Sequence, residues 1–274
     1  MTAPPPQRPE ELDLARPDPL RPDLTQAAPA SARDARRASR RARARDLWDG
    51  KLRSRAHRLR AWLNMLFVDH GALRAVYLNL HPIGEARPPR AWRSAQPLPG
   101  QIARLARRTG LRAVVSLRGG VLFGSYPLER EACARLGVAF RRAVLRSRDL
   151  PSREELRALV ALMRGLETPV LFHCKSGADR AGLMAALWRI VMEGASADAA
   201  ASELSLARGH LSSGPTGVLD AFLQEAARAE AAGVPFLDWI ETGYDRDAIR
   251  DRYRASARAR GPAAWITDRL LRRE

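Results

Sequence analysis

With 274 residues, 46% of them hydrophobic, the chain is long enough for one enzyme-sized domain with extensions and can bury a sizeable core. No run approaches the roughly 18–20 apolar residues that a membrane span needs, and the opening stretch MTAPPPQRPEELDL lacks the apolar segment of a secretory signal. Two cysteines, at 133 and 174, make no disulfide framework, so a reducing, cytoplasmic setting is expected, with a peripheral seat at the inner membrane face as a variant of it.

The net charge of +17 points to nucleic acid only until it is located. Residues 33–60 hold 12 Arg/Lys against Asp34, Asp46 and Asp49, a net +9. Lysine occurs only at 51 and 175, and the excess of arginine and alanine reads as compositional bias and a solvated face as readily as an anionic partner. Nucleic acid is not the partner expected.

Residues 1–45, rich in Pro, Ala and Arg, read as a disordered tail. In 46–85, Trp48, Leu52, Leu59, Trp62, Leu63, Leu66 and Phe67 recur at helical steps between arginines, which predicts a basic amphipathic helix and a connector. Packing on its own domain is favoured for 46–67; an anionic membrane surface is the alternative. From 86 to about 230 strands and helices alternate. AWRS (91–94) is a strand, QIARLARRTG a helix stopped by Gly110, and LRAVVSL (111–117) a buried strand with the loop RGGVLFGS after it. YPLEREACARLG is a helix, VAFRRAVL a strand, and the segment from Pro151 to Glu167 a helix; PVLFH is an apolar strand and DRAGLMAALWRIVMEG a helix. That alternation predicts an α/β fold: a central, mostly parallel sheet with helices on both faces. Residues 231–274 read as a helical C-terminal extension.

In such sheets ligands bind where strands end and helices begin. The loop 174–180 lies at such a point, tightened by Gly177, so its backbone N–H groups and the positive end of the following helix can converge on an anion. A cysteine there is expected to ionise more readily than a free thiol. Arg180 offers a planar fork for two phosphoryl oxygens. Together they make a nucleophile aimed at phosphorus.

His173-Cys174, five residues and then Arg180 is the HC-x5-R pattern, and the segment resembles the cysteine-dependent protein tyrosine and dual-specificity phosphatases, bacterial members included. WRSAQP (92–97) and VVSLRGG (114–120) extend the resemblance. It implies a dual-specificity phosphatase-like fold and a phosphomonoester hydrolase working through a phosphocysteine. In it Cys174 is the nucleophile, Arg180 binds the phosphoryl group, the amides of Lys175, Ser176, Gly177, Ala178 and Asp179 form the cradle, and His173 orders the loop. The proton donor is Asp149, in RSRDLPS, or Asp179, directly before the arginine, with the first favoured.

Ala181 departs from the family, which often has Ser or Thr after the arginine; slow breakdown of the intermediate follows unless Ser176 or water substitutes. Lys175 is similar to lipid- and inositol-phosphate-directed members, so a phosphorylated protein and a phosphoinositide-like substrate both stay open. A phosphoanion-binding module without turnover is the rival function. Arg118 is a second phosphate contact or a structural ion pair, Arg93 and Gln96 line the entrance or serve as scaffold, the second being favoured, and His210, Thr216 and Asp220 are candidates for holding the hydrolytic water. Cys133 is a core thiol. No cofactor is implied and no metal, since five scattered histidines and two distant cysteines lack ligand spacing.

Overall fold

The structure is a computed structural model that describes residues 39–259 apart from 41, 45, 51 and 119–121. Most of the tail expected to be disordered lies outside these residues; of it, 39, 40 and 42–44 are helical. A helix α1 (Arg55–Leu63), capped by the Ser54 hydroxyl accepting from the His57 amide, passes into a π turn (Asn64–Val68) and then a short helix α2 (Gly71–Val76). Next come β1 (His81–Ile83), β2 (Ala91–Ala95), α3 (Pro99–Thr109), β3 (Ala113–Ser116), α4 (Ser125–Arg135), β4 (Ala139–Arg142), α5 (Arg153–Arg164), β5 (Val170–Cys174) and α6 (Asp179–Glu193). The chain ends with α7 (Ala197–Ala201), two single 3₁₀ turns, α8 (Val218–Ala231), α9 (Phe236–Thr242) and α10 (Arg246–Ala259).

The five strands lie in the order β1-β2-β5-β3-β4, and only β1 runs antiparallel to its neighbour. β5 is central, so both of its faces are covered and all five of its residues are buried. On one face Phe172 meets Trp188 at 5.5 Å between ring centroids, within a core that takes in α5, α6 and α8. On the other, Leu171 and Val114 pack against Ile102, Leu105, Ala132 and Cys133 from α3 and α4.

Three sequence expectations shift. The helix expected from Pro151 begins at Arg153, because Ser152 caps it: the Glu155 amide donates to the Ser152 hydroxyl and the Ser152 amide to the Glu155 carboxylate. Among the described residues after 230, Phe236, Trp239, Ile240, Tyr244 and Ile249 belong to the same buried cluster as Phe172. The basic helix does pack on its own domain, with Trp48, Leu52, Ala61 and Met65 against Leu128, but Leu59, Leu63 and Phe67 stay exposed.

Candidate active site

β5 delivers Cys174 to the C-terminal edge of the sheet, and α6 starts five residues later at Asp179. In the parallel register Cys174 stands beside Ala95, and His173 beside Ser94 and Ser116. Cys174 is 1% exposed, and the Gly177 amide points at its sulfur over 3.3 Å.

The loop folds this way for reasons visible at Gly177. Its φ is +76°, where side chains other than glycine are strained. A Cβ there would also lie 2.5 Å from the Ala95 amide nitrogen and 2.6 Å from the Ser94 carbonyl carbon. Glycine is required twice, by conformation and by the closeness of β2.

Three successive loop carbonyls accept hydrogen bonds from side-chain donors. Asn79 Nδ2 donates to the Ser176 carbonyl at 3.0 Å, and Arg93 Nη2 donates to those of Gly177 and Ala178, each at 2.7 Å. Arg93, from the middle of β2, is fully buried and its other nitrogen bonds both the carbonyl and the carboxylate of Glu203. Burial pulls the Arg93 guanidinium down from its ordinary value and the Glu203 carboxylate opposes that shift. Peptide groups are planar, so a carbonyl held outward turns the amide of the next residue inward. Arg93 is scaffold, as its place in WRSAQP suggests, and a more direct one than that segment alone reveals.

Behind Cys174 runs a buried polar chain. His173 Nε2 is 2.7 Å from Glu129 Oε1, and Gln96 Nε2 donates to Glu129 Oε2 at 2.7 Å. Arg118 donates to Gln96 and, over 2.7 and 2.8 Å, to the two carboxylate oxygens of Asp69. Asp69 also accepts from Arg74 and Ser125. Burial alone would raise the Asp69 carboxyl, but Arg118, Arg74 and Ser125 outweigh it and hold it below the usual carboxylate range. Of the two readings of Arg118, phosphate contact or structural ion pair, the geometry supports the second: Asp69 already grips its fork.

The two aspartates are held differently. Asp149 is clamped by Arg246 and Arg250, the latter at 3.2 Å, from α10. Asp179, in the loop itself, is bonded through one carboxylate oxygen to His210 Nδ1 at 2.8 Å, and His210 Nε2 is 2.7 Å from Asp220. Burial would lower the His210 pKa, but the hydrogen bonds and charges of Asp179 and Asp220 outweigh it and raise it to about 9. His210 and Asp220 thus join the loop through Asp179, while the Thr216 hydroxyl donates to the Leu211 carbonyl and only shapes its own turn.

Sequence reasoning missed Asn79, Asp69, Glu129 and Glu203. Asn79 carried no signal. Glu129 had one, a carboxylate three and four residues before Ala132 and Cys133 on an otherwise buried helix face. Cys133 is a core thiol pushed up by burial. Among the described residues no group of three or more His, Cys, Asp or Glu could hold a metal, and no helix is long and apolar enough to cross a membrane.

Similar solved structures include TpbA of P. aeruginosa, at 24% identity over 64% of this chain and 91% of that one, with a TM-score of 0.39. A putative phosphatase (DUF442) of Shewanella putrefaciens CN-32 aligns at 18% identity over 57% and 95%, TM-score 0.42. The catalytic core of the PP-IP phosphatase SIW14 of S. cerevisiae aligns at 18% over 66% and 94%, TM-score 0.38. No curated protein matches the chain. The family model described as DSP-PTPase phosphatase fused to NAD+ kinase matches residues 82–214, the span from β1 to the turn after His210 that contains the Cys174 loop. Over these residues the chain is similar to the dual-specificity phosphatase family.

Proposed function

We propose that the chain hydrolyses phosphomonoesters in two steps, with Cys174 as the nucleophile and without a metal. The observation that carries this is the loop 174–180, whose carbonyls Asn79 and Arg93 hold outward beside a buried sulfur. In the first step the sulfur of the Cys174 thiolate bonds to phosphorus as the ester P–O bond breaks, and the leaving oxygen takes a proton. In the second, water attacks the phosphocysteine, the S–P bond breaks, and inorganic phosphate leaves as the thiolate is regenerated. The amides of Lys175 to Asp179 and the Arg180 fork stabilise the equatorial oxygens through both steps. His173, tied to Glu129, fixes the strand end that carries the sulfur.

The leaving-group proton comes from Asp179 in this reading, not from Asp149. Asp179 lies in the loop itself, directly before Arg180. Asp149 is committed to two guanidinium groups of α10. The substrate is a phosphorylated protein or small phosphoester; Lys175 favours an anionic one.

The test is turnover of an aryl phosphate by purified protein. Activity that survives chelator, vanishes in Cys174→Ser and falls roughly 100-fold or more in Asp179→Asn supports the mechanism. Turnover that persists in Cys174→Ser, or needs added metal, refutes it. If Asp149→Asn removes the alkaline limb of the pH profile while Asp179→Asn leaves it intact, the proton donor is Asp149.

A further inference from the structure

Ten large hydrophobic residues of the described chain are exposed, and seven of them lie between 59 and 77. On α1, Leu59 and Leu63 are one turn apart, opposite to Ala61 and Met65, which face the core. Beyond the π turn, Phe67 is 71% exposed and, on α2, Leu73 and Val76 are 70% and 91% exposed. The segment is apolar on two sides, and its own domain covers one.

Within the segment the charge has one sign, and the acid that reaches it from outside, Glu131 of α4, is 3.2 Å from Arg58. From 52 to 84 the sequence holds a single acid, Asp69, which is buried and already paired with Arg74 and Arg118. Arg53, Arg55 and Arg60 are exposed. A second copy of the chain pairing by two-fold symmetry would set this positive face against itself. Anionic headgroups complement it, and an apolar row flanked by arginines suits the headgroup–acyl boundary.

We propose that residues 53–77 dock the protein peripherally on an anionic lipid bilayer, with Leu59, Leu63, Phe67, Leu73 and Val76 entering the boundary and the arginines meeting headgroups. The surface adjoins the catalytic loop: the exposed Tyr77 donates to Asn79, and Asn79 donates to the Ser176 carbonyl. Docking therefore orients the mouth of the site relative to the bilayer. The inference concerns attachment and does not depend on turnover.

Flotation of the full chain with vesicles of phosphatidylcholine, alone or with phosphatidylglycerol, tests it. Retention is expected only on the anionic vesicles and is released by raised salt. Phe67→Ser with Val76→Ser is expected to weaken retention at least about tenfold through lost apolar burial. Arg55→Glu with Arg60→Glu should do the same through charge. Both pairs keep the parent melting temperature and the parent turnover of a soluble aryl phosphate, and Cys174→Ser binds vesicles like the parent. Equal retention on neutral vesicles, or parent-like binding by either pair, overturns the proposal. So does a parental dimer that Phe67→Ser with Val76→Ser converts to a monomer, since the face then covers a second copy. Release of the parent by inorganic phosphate at constant ionic strength would mean that the phosphate loop, and not this face, holds the lipid.

Discussion

Arg93→Met isolates the part of the site that shapes the phosphate cradle. The parent guanidinium is fully buried and donates to four acceptors: the Gly177 and Ala178 carbonyls, the Glu203 carbonyl and the Glu203 carboxylate. Methionine has similar bulk, so the core stays filled, but all four acceptors lose their donor in a dry place. Removing one partner of a buried ion pair costs about 3–5 kcal/mol. Arg208, 3.0 Å from Glu203, keeps part of that carboxylate satisfied, which puts the expected loss at the lower end. A typical domain has about 5–15 kcal/mol of stability, so the variant is expected to remain folded at low temperature. The two freed loop carbonyls can then turn inward, which places acceptors where phosphate oxygens belong.

Urea unfolding should show the loss of about 3 kcal/mol, and competitive inhibition by phosphate or vanadate should weaken at least about tenfold, beyond what the stability change explains. Arg93→Lys keeps a charge but not the fork, and should fall between parent and methionine variant in both measurements. A methionine variant that loses less than about 1 kcal/mol and binds vanadate like the parent would show that the carbonyls do not need Arg93.

Gly177→Ala, with a left-handed φ and a Cβ 2.5 Å from the Ala95 nitrogen, should either unfold at lower urea or push the loop off β2; loss of oxyanion binding in folded protein reads this out. His210 has a folded pKa of about 9, above the unfolded value of about 6.5, so its contribution is complete below pH 6.5 and is lost as pH rises through 9. The stability gap between parent and His210→Gln should accordingly be on the order of 3 kcal/mol at pH 6 and shrink by pH 10; an equal gap at both refutes the ion-paired histidine. Ala181 is buried and offers no hydroxyl to the departing thiolate, so rapid mixing should show a burst of aryl alcohol followed by slower turnover. Ala181→Ser should speed the slow phase roughly tenfold, the worth of one hydrogen bond.

Local pattern made much of this molecule legible. Continuous apolar strands gave the position of β5 because a central parallel strand is buried on both faces, and Gly110 and Gly194 stop α3 and α6 in the left-handed conformation that glycine tolerates. Where a boundary depended on competition between two local signals, as at Pro151 and Ser152, the hydroxyl cap won over the proline. Nothing near Asp149 in the sequence points to Arg246 and Arg250, which approach it from about a hundred residues away.

The sequence by itself determined the strand–loop–helix order around Cys174, because strand, cysteine, glycine, arginine and helix are contiguous and their geometry follows from backbone rules that act over a few residues. Tertiary structure alone decided which groups hold that loop in shape: Asn79, Arg93, Glu203, Glu129 and Asp69 come from separate elements and meet only when the sheet closes. It also decided which side of the 55–77 helices faces outward, since an apolar stripe on either side looks alike in one dimension and only packing against Leu128 chooses between them.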